Sequence, residues 1–216
     1  RFLVKMGARV SYYIPERQSE GYGLNLEALE HIISDGASLV ITVDCGISSY
    51  DIVKAVCDRI DIIITDHHTA PPQIPPARAV INHKQPDCPY TDKNLSGVGV
   101  AFKLCQALWL RQCGEWYLDD LDIVALGTVA DVVPLVGENR IIVQAGLKKM
   151  NELPNLGIDK LIDVAGLHDK TITSGHIGFT LAPRLNAAGR VTHATRAVEL
   201  LVTDDVDLAE TIAQEL

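Results

Sequence analysis

No run of about 18 apolar residues free of charge occurs in the chain, so no membrane-spanning helix is expected. The nearest approach, Ile123 to Val136, is short and carries Asp131 in its middle. No C-x-x-C pair occurs, and the five cysteines (Cys45, Cys57, Cys88, Cys105, Cys113) are odd in number. A disulfide framework or a structural zinc site is therefore not expected, and a reduced, cytosolic setting is the simple reading. The start lacks the basic, apolar and small-residue order of a signal peptide, and no internal repeat is visible. Basic charge is also short. Lys plus Arg number 19 against 28 Asp plus Glu, a net charge of −9, which argues against a domain that coats nucleic acid by bulk charge. What is present is an ordinary globular composition, 47% hydrophobic over 216 residues, enough for one large domain or one and a half.

Phe2, Leu3 and Met6 carry helical spacing before a stop at Gly7, and Asp207–Leu216 is helical with no C-terminal signal. Both ends therefore read as cut inside helices, as in a piece of a longer protein. Between them, Ala8–Ile14, Ser38–Val43, Asp61–Thr65 and Ala79–Asn82 read as strands. Asn25–Ser34 and Ser49–Val56 read as helices, and the four prolines of Pro71–Pro76 demand a loop. Continuous β-branched runs alternating with helices predict an α/β fold, a doubly wound and mostly parallel sheet with both faces covered. Beyond Ser96 the pattern is helical, over Gly97–Gln112, Asp119–Thr128, Asn139–Met150, Pro154–Ala165 and His193–Leu201. The expected division is an α/β domain over residues 1–135 and a helical extension over 136–216.

Open α/β sheets hold ligands at the carboxyl ends of their strands. Here one strand runs into Asp44-Cys45-Gly46 and another into Asp66-His67-His68. If these strands are neighbours, their acids and histidines converge on one edge. Asp131 lies in an apolar frame, Ala125 to Leu135, and desolvating an unpaired carboxylate is expensive; a metal would offset that cost. Carboxylates with imidazole suit Mn²⁺ or Mg²⁺, the histidine favouring Mn²⁺. Two such ions ~3.5–4 Å apart can clamp a phosphodiester for in-line attack. Plainer roles stand beside these: Asp44 as an N-cap, Asp66 as a turn residue, one of the histidines as a core residue. Ser96, Gly97 and Gly99 open a helix whose free N–H groups suit an anion, or simply cap it. Arg184, Asn186 and Arg190, around a turn marked by Pro183 and Gly189, suit a phosphate or are surface residues. The five other histidines (His31, His83, His168, His176, His193) lack such context.

Val43-Asp44-Cys45-Gly46, Thr65-Asp66-His67-His68, Gly127 to Leu135 and Pro183 to Arg190 together resemble the DHH phosphoesterase family. With Tyr13 to Arg17 and Glu20 to Leu24, the likeness is to its bacterial single-strand-specific 5′→3′ DNA exonucleases and covers nearly the whole chain. The resemblance implies a two-metal, usually Mn²⁺-dependent phosphodiesterase acting in DNA repair and recombination and releasing mononucleotides. Asp44, His67 and Asp131 would be metal ligands, and Asp66 and His68 catalytic residues, His68 facing the scissile phosphate or attacking water. Arg17 would hold the terminal phosphate of a strand with a free 5′ end. Ser96, Gly97, Gly99, Arg184, Asn186 and Arg190 would grip the strand. A cytoplasmic monomer is implied, without membrane contact, with a single-strand-binding protein and a helicase as partners of the parent. The family's first motif, a strand ending in Asp-x-Asp-Gly, is absent, so the fragment alone is expected to be impaired. Two alternatives remain: a DHH enzyme acting on small nucleotides or pyrophosphate, and a non-catalytic scaffold of the same fold.

Overall fold

Strands β1 (Leu39–Val43), β2 (Asp61–Thr65) and β3 (Ala79–Ile81) form a parallel sheet in the order β1-β2-β3. Their Val- and Ile-rich runs suit a sheet buried on both sides. The computed structural model describes residues 1–15, 23–188 and 194–216. The register pairs Val43 with Thr65 and Thr65 with Ile81, so all three strands end level, at their carboxyl ends.

One face of the sheet presents Val40, Ile62, Ile64 and Val80, which pack with Leu29 of α2 (Leu26–Ser34) and Val53 and Val56 of α3 (Tyr50–Val56). Asn25 caps α2 by accepting the Ala28 N–H. The other face carries α4 (Gly97–Cys113), in whose cluster Val100 and Phe102 pack with Ile81. The expected α/β architecture with a covered parallel sheet, followed by a mostly helical part, is what the chain forms. The short α1 (Phe2–Lys5) is held because Phe2, 6% exposed, packs its ring 4.8 Å from that of Tyr117 and 6.3 Å from that of Trp109.

The helical part comprises α5 (Leu121–Ala130), α6 (Gly137–Glu152), α7 (Leu156–Val164), α8 (Ser174–His176), a π-helical turn at Ile177–Leu181, α9 (Ala182–Ala188), α10 (Ala194–Val202) and α11 (Val206–Glu215). Its core is Ile158, Leu161, Ile177, Leu181, Leu200 and Ile212, each fully buried. Helices α5 and α6 cross without a side chain between them at Gly146. A Cβ there would lie 2.2 Å from the Leu121 carbonyl oxygen and 2.4 Å from the Ala125 Cβ. Gly146→Ala is expected to cost about 2 kcal/mol through forced separation of backbones. In a chain of this size that lowers the melting midpoint by about 4–8 °C, read by thermal circular dichroism.

Two expectations are corrected. Residues 8–15 form no strand. Alternation in the sequence is also compatible with an extended segment, and Val10 and Tyr12 are 44% and 50% exposed, outside the three-stranded sheet of the described residues. The segment around Pro183 is helical rather than a stiff turn. Proline has no N–H to bond the carbonyl of residue 179 and its ring crowds the preceding turn. The π-helical turn immediately before it, closed by Ala182 N–H donating to Ile177 O, widens the helix at that point.

Candidate metal centre

The level strand ends place Asp44, Asp66 and Asn82 at equivalent positions on three adjacent strands. Asp44 N–H donates to Thr65 O and Asp66 N–H to Ile81 O, which continue the ladders one step beyond β1 and β2. Asp44 then leaves the sheet with φ 62°, a left-handed conformation that Asp and Asn tolerate best among non-glycine residues. The turn is tied by Thr42 Oγ1 donating to Cys45 O at 2.8 Å. Asp44 is not the cap of α3; Ser49 occupies that position.

His67 is buried at 7% exposure. Its Nδ1 lies 3.1 Å from the Leu95 carbonyl, which can only accept, so Nδ1 carries the proton and Nε2 presents its lone pair. Nε2 faces Asp44 Oδ1 at 3.1 Å and Asp131 Oδ2 at 3.5 Å. It is buried and makes no well-directed hydrogen bond. A buried nitrogen aimed between two carboxylates, itself unbonded, fits a divalent cation. Without one, the Asp44 carboxylate holds the His67 pKa above the ordinary 6.5, burial opposing it and Asp131 adding to it.

His68 is exposed, and the two imidazole rings stand edge to face at 4.6 Å. Ligand atoms of Asp44, His67 and His68 lie within 4.8 Å of one another. Asp66 is 1% exposed and its carboxylate is already saturated. It accepts from Ile47 N–H at 2.9 Å, His67 N–H at 2.7 Å, His68 N–H at 3.1 Å and His68 Nδ1 at 2.7 Å. It thus serves both as the turn residue and as the group that fixes the tautomer of His68, leaving His68 Nε2 as the free nitrogen. Burial pushes the Asp66 pKa up, but these hydrogen bonds outweigh it and hold the carboxyl below its ordinary 3.8.

Asp131 caps the C-terminus of α5. Its side chain is 27% exposed, so the apolar frame does not bury it deeply. The next residue, Val132, holds φ 58°, a strained geometry for a β-branched residue. Ser96 is fully buried; its Oγ accepts the Gly99 N–H at 3.1 Å and bonds Thr128 Oγ1 at 2.9 Å. Gly97 N–H points at Asp131 Oδ2 at 3.4 Å. A Cβ on Gly97 would lie 2.2 Å from Asp44 Oδ1, so α4 reaches the carboxylate only because residue 97 is glycine. Arg184 and Asn186 lie on α9, and the Arg184 Nε is buried without a partner. Arg17 and Arg190 lie outside the described residues.

Two residues were not singled out from sequence. Asn82, 2% exposed, donates to His68 O at 2.9 Å and accepts Lys84 N–H at 2.7 Å. The expected strand includes Asn82, and only the observed end of β3 at Ile81 sets it at the sheet edge beside Asp44 and Asp66. His83 is 5% exposed, with neither ring nitrogen hydrogen-bonded, and burial lowers its pKa; no spacing marks it.

Fold and site together define an α/β protein with a carboxylate–imidazole centre at the carboxyl edge of a parallel sheet. The chain belongs to the DHH family: the profile of the DHH family, N-terminal domain, matches residues 1–128. It is 45% identical over 215 residues to the single-stranded-DNA-specific exonuclease RecJ of Bacillus subtilis, covering 99% of this chain and 27% of that protein. RecJ of Thermus thermophilus is 37% identical over 218 residues, covering all of this chain and 32% of that protein. A crystal structure of exonuclease RecJ bound to manganese superposes with TM-score 0.89 at 35% identity, over 99% of this chain and 54% of that one. The crystal structure of Thermus thermophilus RecJ in complex with Mn²⁺ gives TM-score 0.83 at 32% identity, over 99% and 31%. The chain thus spans 27% and 32% of the length of these two curated relatives. No helix among the described residues is long and apolar enough to cross a membrane.

Proposed function

We propose that this chain is the metal-binding core of a 5′→3′ exonuclease that hydrolyses single-stranded DNA to mononucleotides. The observation that carries it is the buried, unbonded His67 Nε2 facing Asp44 and Asp131, in a chain 45% identical to a single-strand-specific exonuclease. Asp44, His67 and Asp131 would hold Mn²⁺, or Mg²⁺, as their share of the two-metal site of the intact protein, with His68 beside them facing the scissile phosphate or the attacking water. When bound, the ions supply Lewis-acid polarisation of the phosphodiester and activation of water. The chain's own groups do the rest. Leu95 O and Asp66 orient the two imidazoles, and the first turn of α4, from Ser96 through Gly97 and Gly99, would lie along the strand, its Gly99 N–H held by Ser96 Oγ and its Gly97 N–H directed at Asp131. Arg17, Arg184, Asn186 and Arg190 bind the strand, Arg17 at its 5′ phosphate. In this reading the protein is a cytoplasmic monomer, working with a single-strand-binding protein and a helicase.

The net charge of −9 fits this reading: a few placed arginines and helix N-termini grip a single strand, while an acidic surface does not attract duplex. The test is turnover by the intact, chelator-treated protein after Mn²⁺ is restored. The substrates are long 5′-phosphorylated single strands, duplex and dinucleotides. Mononucleotide release from the single strands is expected. Turnover of dinucleotides alone would instead identify a small-nucleotide phosphodiesterase, and no calorimetric heat with Mn²⁺ a scaffold. Mn²⁺ affinity is further expected to weaken as pH falls, because proton and metal compete for His67 Nε2. The raised pKa sets the sign: the loss begins above pH 6.5. In the metal-free protein, protonated His67 stabilises the fold below the unfolded pKa of about 6.5, and that stabilisation is lost as pH rises through the raised value.

A further inference from the structure

Phe179 is 89% exposed, the most exposed large hydrophobic side chain among the described residues. It does not sit on a loose loop. It occupies the π-helical turn Ile177–Leu181, whose flanking Ile177 and Leu181 are fully buried and whose successor Ala182 is 3% exposed. The backbone that carries the ring is thus anchored on both sides. Single-turn π-helices inside helical runs occur frequently at functional sites.

The turn packs on the last turn of α5, the helix that Asp131 caps. Gly178 packs on α5, where its absent Cβ would lie 3.6 Å from Val129 Cγ1, and Val129 stands two residues before Asp131. Arg184 follows Phe179 about one turn later on the same helical run, its buried Nε without a hydrogen-bond partner. An exposed aromatic ring and an arginine with an unbonded Nε, on a helical run packed against the helix that ends in Asp131, match what a single strand offers. The base stacks on the ring while the phosphate bonds the cation. A chain of net charge −9 cannot hold a strand by bulk attraction, so a contact insensitive to charge has an evident use.

Building on the exonuclease reading, we infer that Phe179 is a stacking platform for one nucleobase of the strand near the cleaved phosphate. The test uses the intact protein and single strands of equal length, each carrying one abasic nucleotide, the position stepped inward from the 5′ end. Phe179→Ala is expected to raise KM about 5- to 150-fold, the range of one base–aromatic stack, with kcat little changed. Phe179→Trp should keep near-wild-type KM. At one abasic position the wild type should lose the same factor, and Phe179→Ala should lose nothing further, since the base and ring are partners. Wild-type KM for Phe179→Ala would overturn the proposal. So would additive losses at every position, the pattern expected if Phe179 instead packs on another part of the protein. Failure of the wild type to hydrolyse any single strand would instead overturn the exonuclease reading on which this one rests.

Discussion

Asp44→Asn is expected to abolish measurable Mn²⁺ binding and to lower single-strand hydrolysis by the intact protein by about 10³-fold or more. The substitution removes charge and little else. Asn tolerates the left-handed backbone that Asp44 adopts at φ 62°, so the turn after β1 survives and the melting midpoint should hardly move. What goes is one of the two carboxylates facing His67 Nε2, at 3.1 Å. Losing several kcal/mol of metal-borne charge stabilisation, at 1.36 kcal/mol per factor of ten, gives that magnitude. Asp44→Ala should lose the same activity and, because alanine resists positive φ, about 1–2 kcal/mol of stability as well. Gly97→Ala attacks the same carboxylate from the α4 side, since its Cβ would stand 2.2 Å from Asp44 Oδ1 and 2.6 Å from Asp44 Cβ. Calorimetric Mn²⁺ titration and steady-state turnover read all three. Wild-type heat and rate in Asp44→Asn would remove Asp44 from the site.

The strand-end chemistry is legible in the sequence because Ser38–Val43 and Asp61–Thr65 are continuous β-branched runs, long enough for strands and too short for independent helices. Their neighbour relation then places Asp44 against Asp66-His67-His68. Legibility fails where the outcome depends on a partner rather than on the segment. Residues 8–14 alternate like a strand, yet no described strand pairs with them. Pro183 reads as a helix breaker, and only the preceding π-helical turn lets the helix run through it. Asp131 reads as buried because Val and Ala flank it, yet its side chain keeps 27% exposure at the end of α5. Asn82 is hidden because the expected strand, Ala79–Asn82, runs one residue past the observed one, Ala79–Ile81, and so takes Asn82 into the strand instead of leaving it at the strand's end. The unpartnered nitrogens of His83 have no sequence signal, since burial of a lone histidine is set by tertiary packing alone.

Asp66→Ala is expected to lower stability by about 3–5 kcal/mol, which in a chain of this size lowers the melting midpoint by roughly 10 °C or more. Asp66 is 1% exposed and accepts four hydrogen bonds. Removing the carboxylate leaves the N–H groups of Ile47, 2% exposed, and His67, 7% exposed, unpaired, at about 1–3 kcal/mol each. It also frees the His68 ring, so activity should fall even at temperatures where the variant is folded. Asp66→Asn separates the two effects. Its amide oxygen can still accept some of these N–H groups, so stability falls less, but an uncharged amide no longer holds the His68 imidazole by a charged hydrogen bond. The same contacts set a pH dependence. Because they hold the Asp66 carboxyl below its ordinary 3.8, the stability it contributes is complete above the unfolded value of about 4 and is lost as pH falls through the depressed native one. Denaturant midpoints measured from pH 6 to pH 2 should therefore fall more steeply below about pH 4 in the wild type than in Asp66→Asn. Parallel acid limbs would mean that Asp66 is not the carboxylate through which acid loosens the turn that carries His67 and His68.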